Sequence, residues 1–455
     1  MTFPVKASDR TLVLFNYDWD QSGFALWQDR FYVDSRGFDL FSFPSNVQLL
    51  WFKMQPFVDA LARRASAAGW QAVVSNHEQF GALAAAMLAE RMGWPGTSVS
   101  AILACQHKLH AREVLQQVCP EANLSFSALE CGYGEPVPPG LTYPLFIKPV
   151  KAAFSVLAAT IRSEQQLHAH TRFGAWELWV IRHLVEPFEE IARQRLPQAG
   201  TAHRLLLEEP MRGSQYNLDG YVFNNTVHEI GIVQALMYPG TEAFLRFDYP
   251  SGLQPSVHDQ AMQVARKFLQ AIGFSHGMFN MEFFHDAATG KLTVIEFNPR
   301  MAPQFSDLYR RVDGVDLHRM ALELAWGRDP GLEPCVQPVA GAASSFVYRI
   351  FDPATEVAMP QDQQRAAFAQ SFPDGLLLEF PKPRGSMRRD FKWLGSYRYA
   401  IIHLGGADKV DLRQRCERAS GIFGWPAPYA DIVQEPVAAG VHPTSLVNFP
   451  METSR

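Results

Sequence analysis

Residues 281–300 read MEFFHDAATGKLTVIEFNPR. Two carboxylates, Glu282 and Glu296, fall on two predicted strands joined by a short turn, and Asn298 and Arg300 follow Glu296 at strand spacing. Side chains two apart on a strand point to one face, so Glu296, Asn298 and Arg300 are expected on the same side. A hairpin folding symmetrically about Thr289 sets Glu282 opposite Glu296 on that side. Like charges directly opposite each other destabilise a bare sheet. A cation resolves the conflict, and carboxylates with an amide oxygen are the hard ligands magnesium prefers. An arginine beside them suits a phosphate bidentately. The segment predicts a metal–phosphate site.

The surrounding chain sets the frame. Its 455 residues exceed one typical domain, so several packed units are expected. Hydrophobic content of 47% and charged content of 19% describe a globular chain with ample core. A net charge of −5 gives no basic nucleic-acid footprint. The cysteines (Cys105, Cys119, Cys131, Cys335, Cys416) are odd in number and form no CxxC pair. That argues against a disulfide framework or thiolate zinc site and fits a reducing cytosol. With neither a signal-peptide pattern at the N-terminus nor an apolar run of membrane-spanning length, a soluble cytoplasmic protein is expected.

Along the chain, residues 1 to about 100 alternate strand and helix signals: strands at 11–16 and 70–75, helices at 58–68 and 82–92. That order predicts a small open α/β domain with a parallel sheet. A further helix starts just before Lys108. A Gly/Pro-rich linker, 132–140, leads to Tyr143-Pro-Leu-Phe-Ile-Lys148, and Ser155 to Ile161 is its expected partner strand. Ser163 caps a helix starting near Glu164. Strands are expected at 204–209, 217–223 and 227–237, the last two joined by a tight Asn224-Asn225 turn. A helix over 257–272 precedes the hairpin, and this α+β region differs in style from the first domain. After Pro330 come strands at 345–351, 376–380 and 399–404 and a helix over 409–420.

Several motifs in this order resemble the ATP-grasp superfamily of ligases, over roughly residues 70–330. Lys108, in Cys105-Gln-His-Lys108, taken alone is a solvated lysine at a helix start; in the resemblance it reaches the nucleotide phosphates. Lys148, at the end of an apolar strand and held by Pro149, resembles the second phosphate lysine, an unusual place to leave a charge otherwise. A glycine-rich flap should follow. The chain instead has Val150-Lys-Ala-Ala-Phe-Ser155, without glycine, where Ser155 stands at the family's serine and Lys151 reads as a solvated surface lysine or as an added charge beside the phosphates. Leu205-Leu-Leu-Glu208-Glu209-Pro210-Met211 resembles the adenine-binding hinge: Glu208 is the adenine-side acid, and Glu209, Pro210 and Met211 supply backbone contacts and an apolar wall. Gln215 occupies the place of a ribose-binding glutamate, and an amide can still bond a diol. Glu282, Glu296, Asn298 and Arg300 match the metal and phosphate residues, with Arg300 and Lys148 as the catalytic pair.

The resemblance implies an ATP-grasp fold: an N-terminal open α/β (pre-ATP-grasp) domain over 1–105 and two α+β lobes clasping ATP, a small lobe over 106–203 and a large lobe with the metal site over 204–330. A C-terminal α+β extension, 331–455, would pack on the large lobe. The implied activity is ATP-dependent activation of a carboxylate, an amino acid or small acid, as an acyl phosphate and its joining to an amine. Magnesium, or manganese in its place, would serve the phosphates. A nucleotide-binding regulatory protein without catalysis and a small-molecule kinase are the alternatives. The expected partners are the carboxylate and the amine, with no nucleic acid and no membrane.

Other residues carry weaker signals. Arg246 could hold a substrate carboxylate bidentately, or lie on the surface. His276 reads as a packed or capping histidine, and Arg310-Arg311 as the solvated face of a helix. Trp176 and Trp179, at helical spacing, read as core. The aromatic segment Phe38 to Phe57 reads as packing or a homodimer contact.

Overall fold

A computed structural model of the chain describes residues 9–40, 45–152, 157–382, 387, 391 and 394–429. Ser155 and the two residues before it in the segment read as a flap lie outside the described residues. Three sheets organise the molecule. The first joins β1 (Arg10–Leu14), β2 (Tyr32–Arg36) and β3 (Ala72–Val74) in parallel, in the order β2-β1-β3. Helices Met54–Ala68 and Gly81–Met92 cover it, the second nearly all buried because its alanines let it approach closely. The parallel sheet expected for this region is what the chain forms.

A four-stranded sheet follows, β4 (Phe126–Ala128), β5 (Leu145–Pro149), β6 (Ala159–Ile161) and β7 (Leu205–Glu208), in the order β4-β7-β5-β6. Ser163 caps the helix after β6 by accepting from the Gln166 amide. Strand β7 lies between β4 and β5, buried along its whole length. Its Leu205-Leu-Leu207 run suits a central strand covered on both faces. The boundary expected before residue 204 therefore cuts this sheet and is corrected: β7 goes with β5 and Lys148.

The largest sheet has eight strands in the order β12-β11-β8-β9-β10-β13-β15-β14. These are β8 (Ser214–Phe223), β9 (Thr226–Met237), β10 (Phe244–Tyr249), β11 (Gly277–Asp286), β12 (Lys291–Asn298), β13 (Ala342–Ile350), β14 (Leu376–Glu379) and β15 (Tyr397–Gly406). Asn224 and Asn225 turn β8 into β9 with φ of 48° and 65°, the left-handed pair that matches hairpin twist. Strand β13 pairs with β10, so β13, β14 and β15 continue the sheet rather than pack upon it as an appended unit. One face of β11 and β12 buries Met281, Phe283, Val294 and Phe297 against the helix Pro255–Ala271, where Phe268 stacks on Phe297 at 3.9 Å. On the opposite face, helices Pro303–Val312 and Leu317–Ala325 pack with Val233, Ala235, Phe247 and Tyr249.

Three packing expectations are decided by the structure. Phe38, Phe52, Phe57 and Phe80 cluster around Phe15, so these rings pack within the chain, although Trp51 between them is 72% exposed. Trp176 is 68% exposed and stacks on Trp179 at 4.9 Å near the start of the helix Ala175–Arg195, so this pair is not core. Arg311, read as solvated, is buried and pairs with Asp307 and Asp374. Among the described residues no helix is long and apolar enough to cross a membrane.

Candidate active site

Glu282 and Glu296 face each other in register across β11 and β12, the pairing expected from symmetry about Thr289. Immediately beyond them the register slips: Phe283 pairs with Val294, leaving Ile295 as the extra residue of a bulge. The slip lets Val294 and Phe297 face the core while Glu296 and Asn298 face the other way. A regular strand could not orient all four in this way, since residues 294 and 296 would share a side.

The two carboxylates are met mainly by amides. Asn298 donates from Nδ2 to Glu282 Oε1 at 3.3 Å and to Glu296 Oε1 at 3.5 Å, and Gln215 donates from Nε2 to Glu282 Oε2 at 3.0 Å. Lys108 Nζ lies 3.0 Å from Glu296 Oε2. Burial and the charge of Glu296 push the Glu282 carboxyl well above the usual range. Burial pushes Glu296 the same way, but Lys108 and Lys148 outweigh it and hold that carboxyl low. One carboxylate of the pair is thus matched by a lysine and the other is not. A divalent cation fits this deficit. Two carboxylates and an amide leave room for phosphate and water oxygens, as magnesium requires. Among the described residues no cluster of three or more His, Cys, Asp or Glu side chains forms a protein-only metal cage.

Behind the pair runs a buried relay. Asn298 donates to Asn280 Oδ1 at 3.4 Å, Asn280 to Asp219 Oδ1 at 3.1 Å, and the Tyr309 hydroxyl to Asp219 Oδ2 at 2.9 Å. Burial pushes the Asp219 carboxyl up to about 7, against its hydrogen bonds from Tyr309 and Asn280.

The cations of the cluster come from three elements. Lys108 begins the helix Lys108–Val118, its backbone amide bonded to Val150 O at 3.1 Å and its Nζ to Ala152 O at 2.9 Å. Burial works against its charge, yet Glu296 and Glu78 raise its pKa. Lys148, on β5, pairs with Glu208 at 3.0 Å and reaches Ile295 O at 3.3 Å. Burial and the neighbouring Arg112 hold Lys148 below an ordinary lysine, while Glu208, despite its burial, is held low by Arg112 and Lys148. Arg112 is therefore the stronger partner of Glu208. Arg300 lies past the end of β12 and donates from Nη2 to Glu78 at 2.8 Å.

The sequence-derived site residues thus separate into groups. Lys108, Lys148, Glu282, Glu296, Asn298 and Arg300 come together between the four-stranded sheet, the first turn of the Lys108 helix and the large sheet. Glu208 belongs to the same cluster, but its carboxylate turns to Arg112 and Lys148. Glu209 is exposed, Pro210 and Met211 are half-buried, and Gln215 is joined to Glu282. Arg246 is not part of the site. It points with Asp248 to the other face of β10, pairs with that carboxylate at 3.0 Å and lies over the Tyr429 ring at 4.2 Å. Its register opposite Leu236 and Phe346, between positions that face the site, explains the failure: a one-residue offset reverses the face.

Three residues were missed. Arg112 joins Glu208 at 2.7 Å, Asn123 Oδ1 at 3.2 Å, Val294 O at 2.7 Å and Ile295 O at 3.2 Å. Glu78 comes from the turn between β3 and the helix Gly81–Met92, over 200 positions away from Arg300, and no local pattern marks it. Lys151, read as a surface lysine, is 2% exposed.

Comparison with known proteins supports the same picture. Residues 141–307 match the ATP-grasp domain family. A carbamoyl phosphate synthase large chain from Pseudothermotoga lettingae is 28% identical over 172 residues, which cover 37% of this chain and 15% of that one. Among solved structures, an L-amino acid ligase from Bacillus licheniformis superposes with a TM-score of 0.65 at 14% identity, over 92% of this chain and 98% of that chain. An N5-carboxyaminoimidazole ribonucleotide synthetase from Thermus thermophilus gives 0.59 at 16% identity, over 92% of this chain and 100% of that one. At these identities the superpositions show the fold.

Proposed function

We propose that this chain, of which residues 141–307 match the ATP-grasp domain family, is an ATP-dependent ligase, which activates a carboxylate as an acyl phosphate and joins it to an amine. The four-stranded sheet and its helices form the small lobe in this reading, and the eight-stranded sheet forms the large one. The observation that carries the reading is the convergence of Lys108 and Lys148 on the Glu282–Glu296 pair, with Arg300 at its edge.

The chemistry asks little covalent work of the protein. A carboxylate oxygen of the acid attacks the γ-phosphorus of ATP, and ADP leaves with the electrons of the broken P–O bond. The amine then attacks the acyl carbon, phosphate departs, and the amine gives up its proton. Positioning and neutralisation of spread negative charge are the main contributions. Lys108 and Lys148 hold the polyphosphate, and Arg300 steadies the group in transfer. Magnesium or manganese bound by Glu282, Glu296 and Asn298 would supply further charge neutralisation. Glu209, Pro210 and Met211 offer the backbone and apolar wall for the base. The acid is proposed to be an amino acid or another small acid, and both substrates are small molecules.

The test is ADP release from the purified protein with magnesium, screened over amino acids and small carboxylates singly and in pairs. ADP production that requires two substrates, with an amide product, is the expected result. A phosphoester product would make the protein a kinase, and no ADP with any pair would leave it a nucleotide binder.

A further inference from the structure

Each buried cation of the cluster is paired with a carboxylate, with one exception. Lys108 has Glu296, Lys148 and Arg112 share Glu208, and Arg300 has Glu78. Lys151 is 2% exposed, yet among the described residues it forms no ion pair. Its Nζ donates to the Glu78 backbone carbonyl at 3.2 Å and lies 5.0 Å from the centre of the Phe188 ring. An ammonium group has three donors, so one carbonyl and one ring face leave it largely unsatisfied. Burying such a group without an anion is costly, and ordinary packing does not account for it.

Its position gives the reason. The Lys108 helix is bonded to the backbone on both sides of Lys151, at Val150 O and Ala152 O. The group is thereby fixed among the phosphate-site charges. From the loop after β3 it faces Glu78 and His77, from the Lys108 helix Lys108, and from β12 and the residues just past it Glu296 and Arg300. We infer that Lys151 is a third lysine of the phosphate site, a cation whose anion arrives only with the nucleotide. The inference rests on the nucleotide reading given above and adds Lys151 to it on the ground of its burial without an anion.

The ligand-free charge state agrees. Burial pulls the Lys151 pKa down to about 7, with Lys108 and Arg300 acting in the same direction against Glu78 and Glu296. Above that pH the free protein holds Lys151 neutral, and an arriving polyphosphate draws a proton onto it. Binding then takes up a proton, so affinity falls as pH rises through this range.

The experiment is calorimetric titration of wild type and K151M with metal-free ATP, which is not turned over, between about pH 8 and about pH 9, with Mg·ADP as a second probe. In wild type, affinity should weaken over that interval by about tenfold more than in K151M. At about pH 7 the variant should bind at least about tenfold more weakly than wild type. K151M should also melt at or above the wild-type temperature, because it replaces an unpaired buried charge by an apolar chain of similar length. Equal affinities and equal pH slopes overturn the role of Lys151 and leave the nucleotide site standing. A K151M chain that no longer folds overturns it as well, since the side chain would then be structural. Wild-type protein that binds neither ATP nor Mg·ADP overturns the nucleotide reading itself.

Discussion

Glu296 and Glu282 are the same residue type on the same face, yet their surroundings separate them. Glu296 has a lysine 3.0 Å away, whereas Glu282 is met by two amides. Substituting Glu296→Gln keeps the volume and removes the charge that orders Lys108. ATP turnover should fall by about 100-fold or more, with an unchanged circular dichroism spectrum. Full activity in that variant would remove Glu296 from the reaction. Asp219 makes a different prediction. Its folded pKa, near 7, lies above that of an unfolded aspartate, so the unfolded chain loses this proton first. Its contribution to stability is complete below about pH 4 and is lost as pH rises to about 7. Denaturant titrations of the ligand-free protein should show D219N more stable than wild type above neutrality and less pH-dependent. At this scale the sequence was informative where residues lie close along the chain: strand alternation and a symmetric turn were enough to place Glu282, Glu296 and Asn298. Glu78 and Arg112 could not be found that way. Both matter through contacts made by the folded chain, to Arg300 in one case and to the backbone of β12 in the other.

At the level of elements, the helix Lys108–Val118 does two jobs. Its first residue reaches the Glu282–Glu296 pair, and Arg112, one turn further on, joins the small sheet to the large one. Replacing Arg112 by Met leaves Glu208 with Lys148 alone and strips the Val294 and Ile295 carbonyls of that donor. Unpairing one partner of a buried charge pair typically costs about 3–5 kcal/mol, and chemical denaturation should register a loss of that size. A much smaller loss would mean that the two sheets are held by apolar packing alone. The strands and helices themselves were largely legible, because periodicity and caps such as Ser163 are local signals. The bulge at Ile295 was not. It follows from the need to bury Val294 while Glu296 faces the site, and the alternation of polar and apolar residues does not show where a strand absorbs one extra position.

For the whole molecule, the strands that follow Pro330 are part of the architecture. Strand β13 lies between β10 and β15, and Ala343, Val347 and Ile401 pack in one core with Phe305 and Tyr309. A chain ended after Pro330 should therefore lack a cooperative thermal transition, which circular dichroism can follow. A sharp melt near the wild-type temperature would show that residues 331–455 are an independent addition. The reading as an appended unit arose because Pro330 and its neighbours resemble a linker, and no one-dimensional signal tells a linker from a crossover within a single sheet. The order of strands also places β12 at the outer edge. An outer strand normally leaves carbonyls open to any passing chain, and proteins protect such borders with charge, bulges or cover. Here the protection is the binding apparatus itself: Arg112 and Lys148 occupy the carbonyls of Val294 and Ile295 beside the bulge. Loss of these cations would turn a sealed border into a template for self-association.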